Sequence, residues 1–328
     1  MPERELTADA RTRLSSRSSA SFVTISRSID KLIDSRKLTL AHYAYSYSAP
    51  KRFNRAMRSV WNWISRDCCR LLLSPIYRIY ERDLDRQVRA YPMPRHIGLI
   101  LDGNRRYSRK TCVVDPHDVY MAGANKLDEL IEWCITLKIP AITLWVLSTE
   151  NLKRPREEVT GILSAIERKL TLLANDYQVH NERIRVRAVG RLDLLPQSTL
   201  TAIRAAAEAT HDYDGMQLTI ATAYGGREEI IDAMQSMLRE QLAQNRSLKD
   251  VIEMITPEAV ARSLYAPDLP DPDLIIRTSG EVRLSGFLLW QSAFSEFYFT
   301  DVFWPAFRRI DFLRAIRAFQ QRQRRFGK

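Results

Sequence analysis

An α/β fold built on a parallel sheet is predicted for this 328-residue chain from three observations. Short, largely apolar runs of strand length recur between residues 97 and 303. Segments of helical period separate most of them. Most of the runs are apolar at successive positions rather than alternating, as in strands covered on both faces. There are no internal repeats, so the pattern fits a single α/β domain behind an N-terminal extension.

Residues 1 to 50 are polar, rich in Ser and Arg, and include Tyr43-Ala44-Tyr45-Ser46-Tyr47. This composition predicts disorder or loose order. From Arg55 to Arg89, Trp61, Ile64, Leu71, Leu72, Ile76, Ile79 and Tyr80 are interleaved with arginines. That spacing predicts one or two amphipathic helices, packed on the main domain or lying on a membrane surface. Pro92 and Pro94 end the helical pattern. Strands are then predicted at Ile97–Leu101, Ala141–Leu147, Leu218–Ala223 and Leu274–Ile276. Ile184–Val189 is a further strand whose Arg185 and Arg187 give it one wet face, and Phe297–Phe303 is a last one. Helical period marks Lys126–Leu137, Glu157–Leu173, Leu200–Ala209, Glu228–Leu238 and a C-terminal helix at Phe312–Gln320. The expected division is therefore an extension over 1–74 and an α/β domain over 75–328.

The net charge of +11 is uneven. Residues 1–91 carry 18 Lys/Arg against 9 Asp/Glu, and the rest of the chain 32 against 30. The basic excess suits an anionic membrane, nucleic acid or an acidic partner, and charge alone does not choose. Cys68, Cys69, Cys112 and Cys134 show neither metal spacing nor a disulfide framework, which points to a reduced, cytoplasmic setting. No signal peptide and no membrane-spanning run are visible.

In a parallel sheet, ligands gather at the carboxyl ends of the strands. Asp102-Gly103-Asn104-Arg105-Arg106 follows the first strand. Its carboxylate suits Mg²⁺, its glycine a tight turn, and its arginines phosphate oxygens. Read alone, an Asp N-cap with two solvated arginines gives the same text. Ser148-Thr149-Glu150-Asn151 follows the second strand and leads to Lys153-Arg154-Pro155, where helix capping is the competing reading. Tyr224-Gly225-Gly226-Arg227 suits a strand-to-helix turn, with Arg227 available to an anion. Arg277-Thr278-Ser279-Gly280-Glu281-Val282-Arg283-Leu284-Ser285 reads as an anion cradle or a solvated loop. Glu296 is an isolated charge beside an aromatic run, and a buried carboxylate needs a metal or arginine partner. The sequence has no Gly-Lys-Ser/Thr phosphate loop and no Gly-x-Gly-x-x-Gly fingerprint. Diphosphate with Mg²⁺ is the ligand class these clusters share.

The stretches His96–Arg106, Leu147–Pro155, Tyr224–Glu228 and above all Asp271–Phe307 resemble the cis-prenyltransferases, the family of undecaprenyl diphosphate synthase. The resemblance covers about residues 75–328. It implies a six-stranded parallel sheet, a homodimer, an apolar tunnel for the growing chain, and condensation of isopentenyl diphosphate with an allylic diphosphate. By the same resemblance, Asp102 binds Mg²⁺, and Gly103, Asn104, Arg105, Arg106, Tyr107 and Tyr120 bind the allylic diphosphate. Asn151 takes part in proton removal, while Ser148, Thr149, Glu150 and Arg154 line the substrate. Arg277, Arg283, Leu284 and Ser285 hold isopentenyl diphosphate, and Glu296 is a second metal contact. Tyr107, Tyr120, Leu152, Val282 and Gly286 depart from the long-chain pattern. Tyr120, Leu152 and Ser285-Gly286 are similar to the short-chain Z-farnesyl diphosphate synthases, and the bulk of Val146 bears on tunnel length. A short or medium product is expected.

Two rival readings make different predictions. A catalytically silent subunit of a heteromeric enzyme lacks the metal aspartate and much of the first loop, which this sequence keeps. A nucleic-acid-binding protein would draw on the basic N-terminus and on Arg322–Lys328, but no binding module is present. The expectation is no nucleic acid, with peripheral contact of residues 1–74 to anionic membrane.

Overall fold

Six strands form one sheet in which every neighbouring pair runs parallel. They are β1 (His96–Ile100), β2 (Ala141–Trp145), β3 (Arg185–Val189), β4 (Gln217–Ala221), β5 (Leu274–Arg277) and β6 (Glu296–Phe299), in the order β3-β4-β2-β1-β5-β6. The computed structural model describes residues 77–111 and 115–322. By compactness the chain divides into 1–83 and 84–328. Of the first unit only residues 77–83 are described, and they are helical; the second unit opens with helical residues 84–89. The expectations for the remainder of residues 1–76, including the Trp61 helix and the membrane contact, lie outside the described residues.

The strands follow from their composition. β1 and β2 are buried at every position, as central strands of a sheet covered on both faces must be. β3 is one of the two edge strands, and there Val186 and Val189 are buried while Arg187 reaches out to Asp268, with N–O distances of 2.6 and 2.8 Å. Among the described residues after β1 the helices are α1 (Asn104–Thr111), α2 (Pro116–Leu137), α3 (Arg156–Leu173), α4 (Tyr177–Asn181), α5 (Gln197–Ala209), α6 (Gly226–Ala243), α7 (Leu248–Met254), α8 (Pro257–Arg262) and α9 (Arg309–Gln321).

Most boundaries differ by a few residues from the sequence expectation, and two of the larger differences have a visible cause. α2 begins ten residues before Lys126, because Asp115 caps it by accepting from the His117 N–H at 2.8 Å and Pro116 supplies the first helical residue. β6 ends at Phe299 rather than Phe303. Beyond it, the carbonyls of Thr300 and Val302 accept from Gly280 and Ser279 in the loop after β5, both at 2.8 Å. Those residues therefore brace the loop and do not extend the sheet.

Candidate active site

β1, β2 and β5 share neighbours in the sheet, and the polar clusters that follow them meet at their carboxyl ends. There they line a cleft of about 660 Å³. Asp102, Gly103, Asn104, Arg105, Arg106, Tyr120, Ser148, Glu150, Asn151, Arg154, Arg277, Arg283 and Ser285 all face it.

The loop after β1 is locked to the loop after β5 through the Thr278 hydroxyl. The Asp102 N–H donates to Thr278 Oγ1 at 3.0 Å, and the Thr278 hydroxyl donates back to the Asp102 carbonyl at 2.7 Å. Gly103 has φ of +104°, and a Cβ there would sit 2.8 Å from both Phe303 and Ser279. Only glycine satisfies both constraints. Arg106 donates to Ser279 Oγ, lies 3.6 Å from Asp102 Oδ2 and 3.3 Å from Glu281, and stacks over Phe303.

Arg277 is the centre of the cradle. Its side chain is 6% exposed, and its guanidinium reaches Asp102 Oδ2 at 3.0 Å, Ser285 Oγ at 2.7 Å and the Arg283 carbonyl at 2.5 Å. Ser279 and Ser285 adopt φ of 80° and 56°, left-handed conformations that disfavour residues other than glycine. Such strain persists only where its surroundings enforce it. Hydrogen-bonding capacity is also left over here. Arg277 Nε and Asn104 Oδ1, both on residues of the cleft lining, are among the buried side-chain atoms without a partner.

The second loop closes on itself. The Asn151 N–H donates to Ser148 Oγ at 3.1 Å, and the Ser148 N–H donates to Asn151 Oδ1 at 3.3 Å. Burial alone would raise the Glu150 carboxyl. The loop's own N–H, the Ser148 hydroxyl and Lys153 instead hold it below the ordinary carboxylate range. Glu158, on the first turn of α3, accepts from Tyr120 at 2.8 Å and Arg154 at 2.9 Å and faces Arg105 at 3.7 Å. Burial first, and then the Glu158 charge, push the Tyr120 phenol well above its usual value, so it stays a donor.

A family model described as putative undecaprenyl diphosphate synthase matches residues 100–327. The chain belongs to that family. An isoprenyl transferase of Deinococcus radiodurans is 54% identical over 250 residues, 76% of this chain and 91% of that protein. A (2Z,6E)-farnesyl diphosphate synthase of Thermobifida fusca is 49% identical over 257 residues, 78% of this chain and 99% of its own length. Among solved structures, lavandulyl diphosphate synthase from Lavandula x intermedia in complex with dimethylallyl diphosphate superposes with a TM-score of 0.66. It is 31% identical and covers 72% of this chain and 99% of its own.

As a member of the undecaprenyl diphosphate synthase family, the chain is a prenyl transferase, and its site differs from the sequence expectation in several places. Glu296 lies outside the cleft lining. It stands at the amino end of β6, in register with Leu274, three residues or about 10 Å of strand before the cleft end of β5. There its carboxylate pairs with Arg322 within the chain. Tyr107, Thr149 and Leu284 adjoin the cleft without lining it, and Leu284 packs on the core cluster around Phe287. Arg227 is exposed and outside the cleft, while Tyr224 is buried, with its hydroxyl on Glu229 at 2.5 Å. That third cluster is therefore structural. Three cleft features were not singled out from sequence: Arg109, Glu281 as the partner of Arg106 and Arg283, and Glu158 as the anchor of Tyr120 and Arg154. The i, i+4 spacing of Arg154 and Glu158 was the available signal for the last.

Proposed function

We propose that the cleft holds two diphosphates side by side, one on Gly103–Arg106 with Arg154 and Tyr120, the other on Arg277, Arg283 and Ser285, while residues 75–328 carry out cis-prenyl chain elongation. The single observation that carries this is the Arg277 guanidinium, buried, strained into place by its loop and bridging the only aspartate of the cleft lining to Ser285.

The donor set suits Mg²⁺. No cluster of three or more His, Cys, Asp or Glu exists among the described residues to form a protein cage. One carboxylate at a phosphate-binding cleft is how Mg²⁺ is commonly held, with substrate oxygens and water completing its shell. Asp102 is the residue to hold it, and when bound it would neutralise charge on the departing diphosphate.

The chain's own residues do the rest. Arg105, Arg106 and Arg154 stabilise the negative charge that grows as the allylic C–O bond breaks. The Arg277 cradle fixes isopentenyl diphosphate so that its C4 attacks the allylic carbon as the C2 proton leaves. Asn151 has its Oδ1 turned to the Ser148 N–H, which leaves its NH₂ as a donor. It therefore orients diphosphate or water, and one of these takes the proton.

Two further parts of the proposal concern assembly. Ile231, Met234, Leu238 and Leu242 on α6 are exposed at helical spacing, an apolar stripe suited to a second copy of the chain. Residues 1–74 contact anionic membrane peripherally; no helix among the described residues is long and apolar enough to cross one. Sedimentation velocity reads the first and liposome co-sedimentation with and without residues 1–74 the second.

The decisive experiment incubates the protein with labelled isopentenyl diphosphate, Mg²⁺ and dimethylallyl, geranyl, farnesyl or geranylgeranyl diphosphate. A Mg²⁺-dependent cis product that falls at least 10²-fold in Asp102→Ala is expected. Full activity in that variant would remove Asp102 from the site.

A further inference from the structure

From the floor of the cleft a narrow apolar slot of about 70 Å³ runs inward between α2 and α3. Leu101, Asn104, Tyr120, Val146 and Ile162 line both spaces, so the slot opens from the site where an allylic diphosphate would rest. Its walls are apolar (Leu127, Ile166, Ile220 and Trp304) and suit a hydrocarbon tail.

Away from the cleft end, where Asn104 and Tyr120 stand, one charged residue breaks that character. Lys169 stands two helical turns along α3 from Ile162, about 10 Å at 1.5 Å per residue. The lysine is only 6% exposed, and its ammonium is ion-paired to Asp128 of α2, whose side chain is 59% exposed. The stem thus crosses the inner end of the slot while the charged head reaches toward the solvent edge and is held there. α2 and α3 are tied by this ion pair at the inner end of the slot and by the Tyr120–Glu158 hydrogen bond where the slot meets the cleft.

We infer that the Lys169–Asp128 pair is the floor of the prenyl slot and sets the length of the product. A growing tail that reaches Lys169 must push the packed stem out of the slot and break the ion pair with Asp128 that holds it there. Elongation then stops in favour of release. The inference rests on cis-prenyl elongation in the adjoining cleft and adds the residue pair that ends it.

The test compares product lengths from the full chain, Lys169→Ala and Asp128→Ala with the same primer. Lys169→Ala opens the end of the slot, and its products should lengthen by at least one five-carbon unit. Asp128→Ala frees the ammonium to swing outward and should shift the distribution in the same direction, by less. Unchanged lengths in both variants, with condensation intact, would overturn the inference and leave the enzymatic reading untouched. Absence of cis product from the wild-type chain would instead strike at the enzymatic reading. If Lys169→Ala loses condensation, equilibrium binding of non-reactive allylic diphosphate analogues of increasing length makes the same distinction. Wild type should then discriminate against the longer tails at least tenfold more strongly than the variant, and equal discrimination would overturn the inference.

Discussion

The two ends of the same strands are built on opposite principles. At the amino end of β1, His96 is 3% exposed, yet both its ring nitrogens are engaged, Nδ1 with the Pro270 carbonyl at 2.6 Å and Nε2 with Thr143 Oγ1 at 2.8 Å. Asp273 beside it accepts from the Arg95 N–H at 2.6 Å, and Glu296 is paired to Arg322. At the carboxyl end, Asp102 and Arg277 are bonded too, but Arg277 Nε and Asn104 Oδ1 are left over, and Ser279 and Ser285 are strained. Orphaned buried atoms also occur away from the cleft, at Arg187 Nε, Thr219 Oγ1 and Gln241 Oε1, so what sets the carboxyl end apart is their coincidence with strained serines around an open cleft.

Arg277→Lys should break the carboxyl end most completely. Lysine keeps the charge, but a single ammonium cannot span Asp102, Ser285 and the Arg283 carbonyl as the planar fork does. We expect kcat/KM for isopentenyl diphosphate to fall about 10²- to 10³-fold, about 3 to 4 kcal/mol of transition-state stabilisation. Steady-state kinetics with that substrate varied measures it, and a change below threefold would refute the cradle.

The contrast between the ends also explains what the sequence disclosed. Asp102–Arg106 and Arg277–Ser285 were legible because each directly follows an apolar strand, and in a parallel sheet that fixes which end they occupy. Glu296 stands apart from them for the same reason in reverse. It directly precedes the Phe297 run, so the chain direction already put it at the amino end, whereas its isolation among aromatics pointed to a buried metal partner. Glu158 and Lys169 were hidden by their helices. Their letters suit the N-terminal dipole and a solvated face, and only the packing of α3 against α2 reveals their partners, Tyr120 and Asp128. The end of β6 was overextended because Phe299–Phe303 has strand composition, while its backbone bonds belong to the loop after β5.

The amino end should answer to pH. Burial, opposed by the Pro270 bond and the nearby Asp273, pushes His96 down to about 4. The unfolded histidine charges near pH 6.5, the folded one only near pH 4, so the unfolded state binds more protons between those values. Stability from this group is therefore complete above about pH 6.5 and is lost as pH falls through that window, by about 3 kcal/mol in all. Thermal melts between pH 7 and pH 4.5 should show a steeper acid loss for the wild type than for His96→Gln, with kcat at pH 7 within threefold. Equal slopes would mean that His96 is not held neutral.

Glu158 tests the comparison at its finest point, because this carboxylate sits at the cleft yet spends its bonds inside the chain. It accepts from Tyr120 and Arg154 and faces Arg105, so it positions three groups that face the cleft without lining the cleft itself. Glu158→Gln preserves shape and one acceptor oxygen but removes the charge that gathers the two arginines. The arginines then lose orientation, while Tyr120 remains protonated because burial is the larger cause of its raised pKa. We expect KM for the allylic diphosphate to rise about three- to tenfold, about 1 kcal/mol, with kcat within threefold, the pattern of lost uniform binding. A fall in kcat with KM unchanged would mean that the carboxylate acts in the transition state, and the carboxyl end would then contain a reacting group where the geometry shows only a positioning one.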